Sequence, residues 1–188
     1  MDIRKPVSTI YGDWITKYKD TWINQIELLK QKFGEKVTKV YMPIEYPTDV
    51  PILFIKKEAI IEVLSFLKNE PGFEYSYLAD LTATDEEVSP RFNVVYNLYS
   101  QNKHWRIRLK VELEEGEKMP SIISVWKGAN WAEREIFDMF GVDFENHPDL
   151  RRIILDLRWK GHPLRKDYPL RGYQTFVTPE PIDPELLK

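Results

Sequence analysis

The chain has 188 residues, a formal net charge of −3 and no cysteine, and 43% of its residues are hydrophobic. This length and apolar content fit one domain with a buried core, and the lack of cysteine excludes disulfides, cysteine nucleophiles and thiolate-ligated metal or iron–sulfur sites on this chain. The acidic net charge argues against a dedicated nucleic-acid-binding protein, which is usually strongly basic.

Two helices and two short strands are predicted in the first third of the sequence. Apolar residues at helical spacing predict a first helix over 21–33, with Asp13 as an alternative start, and a second helix over 58–68. Alternating or short apolar stretches predict strands over 37–41 and 51–55. The expected order is therefore α-β-β-α.

From Tyr75 onwards the hydrophobic period changes to two. Four such stretches, separated by polar turns, predict strands over 75–84, 91–99, 105–113 and 122–126. Consecutive strands joined by short turns pair antiparallel. Together with the first half, this pattern predicts an α+β domain, in which helices pack on one face of a mixed, largely antiparallel sheet.

A third helix is predicted from Asn130 to the residue before Gly141. We expect Asn130 to cap its start, with Glu133 three positions later completing a capping box, and Gly141 to end it as a left-handed residue. Arg134 and Asp138 stand four residues apart, which is the spacing of an ion pair on one face of a helix.

The C-terminal tail, residues 146–188, differs in character from the α+β domain predicted over 1–145. Between Pro148 and Arg171 it carries seven Lys or Arg residues against three Asp, and its prolines hold the chain extended. Apolar alternation over 153–159 predicts a half-buried extended stretch. Such a tail is typical of a segment that lies along a protein surface, its own or a partner's.

The sequence gives no indication of a membrane-spanning segment. No apolar run approaches the roughly 20 residues that a transmembrane helix needs. Residues 1–14 lack the apolar core of a signal peptide and carry an acidic residue early. We therefore expect a protein that is soluble on its own and works in the compartment where it is made.

Metal binding and acid–base catalysis are the first chemical alternatives. The candidate nitrogen ligands of a zinc or iron ion are widely separated in the sequence: His104, His147 and His162. Local hydrogen bonding is the simpler interpretation of such scattered histidines. An acid–base pair is conceivable among the acids of the third helix, where capping and ion pairing are the simpler interpretation: Glu133, Glu135 and Asp138.

Nucleic-acid binding by the basic, aromatic tail is a further alternative. Against it, the apolar face of residues 153–159 needs burial, which a nucleic acid offers poorly. The sequence also lacks the glycine-rich phosphate-binding motifs and the nucleophile elbow of common enzyme classes. The residues themselves thus favour a cofactor-free α+β protein whose cationic tail docks on an acidic partner surface.

Two stretches of the sequence carry a resemblance to a known family. They comprise Glu133-Arg134-Glu135 with Asp138-Met139-Phe140, His147, Arg151 and Ile153-Ile154, and then Gly161-His162-Pro163-Leu164-Arg165-Lys166-Asp167-Tyr168-Pro169. Both resemble the signature of the C-type subunit of proton-pumping NADH:quinone oxidoreductase, the 30-kDa subunit family of respiratory complex I. The resemblance is specific over about 130–173.

The resemblance implies an accessory structural subunit of the peripheral arm of complex I, with no catalytic activity when isolated. The chain is then expected to carry no cofactor, with FMN and the Fe–S clusters on partner subunits. The expected neighbours are the D-like subunit, which helps to form the quinone pocket, and the B-like subunit, which holds the terminal Fe–S cluster. The expected location is the cytoplasmic side of the bacterial inner membrane. The alternatives are a homologous subunit of a membrane-bound hydrogenase-type complex and a stand-alone basic-tail binding module.

The residues expected at the docking surface are those of the two stretches and the adjoining cations: Glu133, Arg134, Glu135, Asp138, His147, Arg151, Arg152, Arg158, His162, Arg165 and Lys166. In this hypothesis Glu135 and Asp138 pair with Arg151 or Arg152 and anchor the tail. The later cations, Lys160 among them, face the partner. Deletion of 150–188 is expected to leave a folded domain that no longer binds the D-like subunit.

Overall fold

The computed structural model describes residues 12–43, 45–46, 48–171 and 184–187. The α-helices within these ranges are α1 (Gly12–Phe33), α2 (Ile60–Asn69) and α3 (Ala129–Phe140). The strands are β1 (Val37–Tyr41), β2 (Ile52–Ile55), β3 (Tyr77–Asp85), β4 (Phe92–Tyr99), β5 (Arg106–Leu113), β6 (Lys118–Pro120) and β7 (Asp143–Glu145).

Five of the strands form one sheet in the order β1-β2-β5-β4-β3. Strands β3, β4 and β5 pair antiparallel as consecutive neighbours, and β1 pairs antiparallel with β2. Strand β2 runs parallel to β5, because helix α2 and the first two strands of the meander separate them in the chain. The prediction of an α+β fold with a mixed, largely antiparallel sheet is confirmed.

The core lies on one face of this sheet. In β5, the odd-numbered residues from Ile107 to Leu113 are buried while Arg106 and its alternate neighbours point to the other face. The buried face packs in one cluster with apolar residues of all three helices, including Leu29 of α1, Leu64 of α2 and Ile136 of α3. The second face carries no helix of the described ranges and is the open face of the sheet.

One predicted strand is wrong, and one helix is longer than expected. Residues 122–126 form a turn, in which the N–H groups of Val125 and Trp126 donate to the carbonyl of Ile122. The N–H of Ile122 is itself taken by the carboxylate of Glu133, so it does not join a ladder. The short strand β6 lies just before this turn and pairs parallel with β7. Helix α1 begins at Gly12, close to the alternative start.

The tail runs through turns and bends from 146 to 171, and many of its side chains are half-buried. The extended conformation expected over 153–159 is wrong, because three consecutive N–H groups at 153–155 turn towards one carboxylate of α3. It lies on the domain that precedes it, with attachments to α3 and to the loops at one end of the sheet. The division into 1–145 and 146–188 stays a prediction. Residues 172–183, for which an extended chain was expected, lie outside the described residues, and Pro184–Leu187 forms a short 3₁₀ turn. Across the described ranges, no helix combines the length and apolar character needed to cross a membrane.

Candidate functional site

The carboxylate of Asp138, near the end of α3, holds the start of the tail. Its side chain is completely buried. Its Oδ2 accepts hydrogen bonds from three consecutive backbone N–H groups of residues 153–155, at 3.0, 2.8 and 2.9 Å. The Nη1 of Arg152 donates to its Oδ1 at 2.6 Å. The predicted anchoring of the tail through Asp138 and Arg152 is confirmed.

The environment of Asp138 keeps it charged. Burial by itself raises the pKa of a carboxyl group, since it disfavours the charged form. Here the donors from the backbone of 153–155 and from Arg152 outweigh burial, so the pKa of Asp138 lies below its ordinary value. A charged carboxylate with four donors, one of them a cation, is well compensated inside the protein.

Arg134 does not pair with Asp138, so the predicted ion pair within α3 is wrong. Its guanidinium instead donates to the carbonyls of Arg151 at 3.0 Å and Arg152 at 3.2 Å, and lies 3.8 Å from Asp149. The backbone N–H groups at 153–155 outcompete it for the carboxylate. Arg134 thus also holds the tail on α3, beside Asp138.

Glu135, the other predicted anchor, is exposed and forms no ion pair among the described residues. Arg151 pairs with Asp149 instead, at 3.0 Å. The part of the hypothesis that gave Glu135 an anchoring role is therefore wrong. Its exposed position on α3 leaves it without a role in holding the tail.

Helix α3 ends at Gly141 as predicted, in the left-handed conformation with φ of 76°. The imidazole of His162 packs against this glycine, where an added Cβ would lie 2.6 Å from its Cδ2 atom. The Nδ1 of His162 is 3.0 Å from the carbonyl of Asp138, and Leu164 N–H donates to the carbonyl of Met139. The second stretch of the resemblance thus closes over the end of α3.

Glu133 does not form the predicted capping box. Helix α3 starts one residue earlier than expected, after Gly128, and no side chain caps its first turn. The Glu133 side chain is completely buried and accepts hydrogen bonds from the hydroxyl of Ser121 and the N–H of Ile122, both at 2.7 Å. Burial without a paired cation raises the pKa of Glu133 to about 7, against the effect of these two donors.

His147 is buried beside Glu133, with 4.0 Å between its Nε2 and a carboxylate oxygen. Its Nδ1 accepts the N–H of Asp149 at 3.0 Å, which leaves Nε2 as the protonated nitrogen, 3.3 Å from the carbonyl of Asn130. The residue therefore joins the tail to α3. In the described parts of the chain, no three metal-binding side chains lie together.

A second attachment of the tail lies at the turns that follow β3 and β5. The guanidinium of Arg91 donates to both carboxylate oxygens of Asp85, at 3.2 and 3.1 Å, and pairs with Asp167 of the tail at 2.8 Å. The backbone N–H of Lys166 donates to Asp85 at 2.9 Å. Arg91 thus bridges the sheet and the tail.

Arg165 completes this second attachment. It pairs with Glu115 in the turn after β5, and its guanidinium stacks 5.4 Å from the ring centre of Phe92. Glu115 also pairs with Arg91, and the two arginines lower the pKa of its carboxyl group. Arg165 was predicted to face a partner, and its guanidinium is bound by the chain's own carboxylates.

The exposed apolar side chains of α3 and the tail have no such partners. Four large ones are each at least half exposed: Trp131, Ile154, Leu164 and Leu170. Arg158 pairs with Asp156, and the side chains of Lys160 and Lys166 are exposed. This surface, bounded by α3 and residues 150–171, is the candidate docking surface.

The sequence did not indicate the partners of the two attachments. Asp85 ends β3, and Arg91 and Glu115 lie beside it and after β5, in stretches that carry many other charges. Contacts that span from 12 to 81 residues leave no periodic pattern. The one available signal was Asp85 at the end of a strand with an arginine six residues later.

Comparison with known proteins places this geometry in a family. A family model described as "Respiratory-chain NADH dehydrogenase, 30 Kd subunit" matches residues 53–174. The chain is 45% identical over 126 residues to a C-type subunit of the NADH-quinone oxidoreductase of Rhizobium meliloti, which covers 66% of this chain and 69% of that protein. It is also 37% identical over 188 aligned residues to the C/D-type subunit of the NADH-quinone oxidoreductase of Azotobacter vinelandii, which covers 93% of this chain and 31% of that protein.

A solved structure shares the fold. It is a chain in the structure of the membrane-bound sulfane sulfur reductase, an archaeal respiratory membrane complex, with a TM-score of 0.58 and 18% identity over 78% of this chain and 86% of that one. The family match spans the sheet from β2 onwards, helix α3 and the tail as far as residue 174. This chain therefore belongs to the family of the 30-kDa subunit of respiratory-chain NADH dehydrogenase.

Proposed function

We propose that this protein is an accessory structural subunit of the peripheral arm of an NADH-quinone oxidoreductase. Its relatives are named as subunits of that enzyme. In this proposal the chain binds no FMN, Fe–S cluster or quinone, and electrons pass from NADH to quinone through cofactors of its partner subunits. The isolated chain then has no NADH oxidation activity.

The observation that carries this proposal is the contrast within the candidate docking surface. Most of its carboxylates and arginines are bound within the chain, so they build the surface and are not presented to a substrate. Four large apolar side chains remain exposed there. Concentrated exposed apolar side chains with a polar border are typical of protein–protein contact sites.

The proposed partners are the D-like subunit, at the quinone pocket, and the B-like subunit, with the terminal Fe–S cluster. The relative from Azotobacter vinelandii supports the first partner, because its name joins the C-type and D-type subunits in one protein. The complex holds this chain on the cytoplasmic side of the bacterial inner membrane. NADH is the proposed electron donor, because the similar proteins are named NADH-quinone or NADH-ubiquinone oxidoreductase subunits.

Deletion of 150–188 is a poor test of this function. It removes Arg152 and the three N–H groups that compensate Asp138, and so leaves a buried charge without partners. Unfolding of the domain would then explain any loss of binding. Substitution of exposed apolar side chains avoids this problem, because surface changes away from such contacts usually alter stability by only about 0.5 kcal/mol.

The test replaces Trp131 and Leu170 together by Ser, with Leu28→Ser on helix α1 as the matched control. All three side chains are at least half exposed. The double variant is expected to unfold at the wild-type denaturant concentration but to recover at least tenfold less of the D-like and B-like subunits from membranes, since a buried aromatic anchor contributes about 2 kcal/mol or more. The control recovers wild-type amounts. Undiminished recovery by the double variant would contradict the proposed surface.

A further inference from the structure

A row of three side chains crosses the open face of the sheet at the end opposite the tail. Tyr77 of β3 is the register partner of Tyr99 of β4, and Tyr99 is the partner of Arg106 of β5. Side chains of such register partners lie side by side on one face. The Arg106 guanidinium stacks 5.6 Å from the centre of the Tyr99 ring. Two aromatic rings and one cation thus stand together.

Arg106 differs from most of the arginines in the part of the chain that the structure describes. Among the described residues, seven arginines lie within 4 Å of a carboxylate: Arg91, Arg108, Arg134, Arg151, Arg152, Arg158 and Arg165. Arg106 is exposed and has no carboxylate at that distance among the described residues. Its charge is therefore available to a carboxylate from another molecule.

In the neighbouring row on the same face, the polar side chains already bind one another. The Nε of Arg108 donates to the side-chain oxygen of Asn97 at 2.7 Å, and its Nη2 lies 3.6 Å from Asp49. The amide of Asn97 donates in turn to Asp80 at 3.4 Å. The acids of this row belong to Arg108 and Asn97. Arg106 is therefore the cation beside this row that has no carboxylate partner among the described residues.

A concavity of about 340 Å³ lies between these two rows. It is lined by residues that include Tyr77, Tyr99, Val50 and Ala79, and Arg106 and Arg108 also border it. Its location is distinct from the tail attachments. Arg106 begins β5 and Leu113 ends it, so the strand places about 23 Å between this cavity and the turn that binds the tail.

We propose that this cavity is a second docking site, which receives an acidic segment of a partner protein. A Glu or Asp carboxylate of that segment binds Arg106, and a neighbouring apolar side chain fills the space over Tyr77 and Tyr99. Arginine pairs strongly with carboxylates and also stacks on aromatic rings, so one residue serves both contacts.

This site goes beyond the proposed function, because it lies outside the candidate docking surface and does not depend on it. A protein with both sites contacts two partners, or two parts of one partner, at opposite ends of its sheet. Failure of the experiment below leaves the test with Trp131 and Leu170 unaffected. The two outcomes are therefore distinguishable.

The experiment titrates the full-length protein with a terminally blocked peptide of alternating Leu and Glu, followed by NMR of its backbone and arginine side-chain N–H groups. The same peptide with Gln in place of Glu is the chemical control. Shifts are expected at Tyr77, Tyr99 and Arg106 with millimolar affinity, and the Gln peptide is expected to bind about tenfold more weakly. Equal binding of both peptides, shifts at other surfaces, or no binding at about 5 mM peptide would overturn the proposal.

A matched pair of variants assigns the effect to one cation. Arg106→Gln is expected to weaken binding of the Glu peptide about tenfold while leaving the weak binding of the Gln peptide unchanged. Lys30→Gln, which removes an exposed cation of helix α1, is expected to leave both affinities unchanged. Equal loss with the two variants indicates a general charge effect and also contradicts the site. Circular dichroism and the denaturation midpoint verify that both variants are folded.

Discussion

Helix α3 carries two buried carboxylates, five residues apart, in opposite electrostatic states. The side chains of Glu133 and Asp138 are both completely inaccessible to solvent. Burial raises the pKa of Glu133 to about 7, whereas the pKa of Asp138 lies below its ordinary value. Lack of solvent contact therefore does not by itself fix the charge state of an acid, and the donors around the carboxylate contribute to it.

The donors differ in number and in charge. Glu133 accepts two hydrogen bonds from neutral groups, the Ser121 hydroxyl and the Ile122 N–H. Asp138 accepts three from consecutive backbone N–H groups and one from the Arg152 guanidinium. Two neutral donors do not offset burial, whereas four donors with a cation do. Asp138, the charged acid, holds the tail. Glu133, the acid that is readily protonated, contacts the turn after β6.

The largest effect is expected for Asp138→Ala. The substitution leaves Arg152 and three backbone N–H groups without their acceptor, and releases the start of the tail. Breaking a buried pair by removing one partner costs about 3–5 kcal/mol. We expect a loss of that size in the free energy of unfolding, measured by urea denaturation at pH 7.

Glu135→Ala is the matched control for Asp138→Ala, because Glu135 lies on the same helix and is exposed. A change of less than about 0.5 kcal/mol is expected for it. The pH dependence adds a second criterion. The stabilisation from Asp138 is complete above its ordinary pKa of 3.8 and is lost as the pH falls through the lower value of the folded protein. Equal effects of the two substitutions would show that the tail is held by other contacts.

The opposite sign is expected for Glu133. Its pKa is about 7 when folded and about 4.5 when unfolded, so the folded state binds more protons between these values. The contribution of Glu133 to stability is therefore greatest below pH 4.5 and falls as the pH rises to about 7. A difference of 2.5 pKa units corresponds to about 3 kcal/mol.

Glu133→Gln removes this titration while keeping the shape of the side chain. The difference in unfolding free energy between wild type and variant is expected to shift by about 3 kcal/mol in favour of the variant between pH 4.5 and 7.5. Asp138→Asn provides the comparison, because it removes a titration whose effect lies below pH 4. A constant difference between wild type and Glu133→Gln across this range would mean that Glu133 stays charged in the folded protein.

Local features were predictable from the sequence, and the partners of the two acids were not. Gly141 was identified because a left-handed residue at the end of a helix depends only on its own backbone. The capping box at Glu133 failed because the buried Ser121 and Ile122, which lie 12 and 11 residues away, offered donors that no local pattern records. The same contact turned the expected strand over 122–126 into a turn.

The tail shows the same division. The half-buried character of 153–159 and the anchoring by Asp138 with Arg152 are confirmed, whereas the extended conformation that alternation predicted there is wrong. The Arg134–Asp138 pair and the role of Glu135 rested on spacing within the helix. Spacing along a helix shows that two groups can reach each other. It does not show whether donors from elsewhere in the chain bind the acid instead. Three N–H groups at 153–155 took the carboxylate that Arg134 was expected to bind.

Gly141→Ala tests whether close packing, in addition to charge, fixes the tail at the Asp138 end of α3. The new Cβ would lie 2.6 Å from the imidazole of His162, whose Nδ1 is bound at the carbonyl of Asp138. Gly116→Ala is the control, since Gly116 has a similar φ of 80° with no atom within 4 Å of an added Cβ. The backbone conformation alone should cost about 1 kcal/mol in both variants.

The cost of the steric clash is then the difference between the losses of unfolding free energy in Gly141→Ala and Gly116→Ala. We expect Gly141→Ala to cost about 2 kcal/mol in total, because the ring of His162 must move and its hydrogen bond weakens. Adding His162→Ala to each variant separates the causes. It should reduce the further cost of Gly141→Ala to that of Gly116→Ala, whose own effect it leaves unchanged. Equal costs for both glycines from the start would mean that the imidazole yields freely. The tail would then be held at this end by its hydrogen bonds and ion pairs, without a contribution from this close contact.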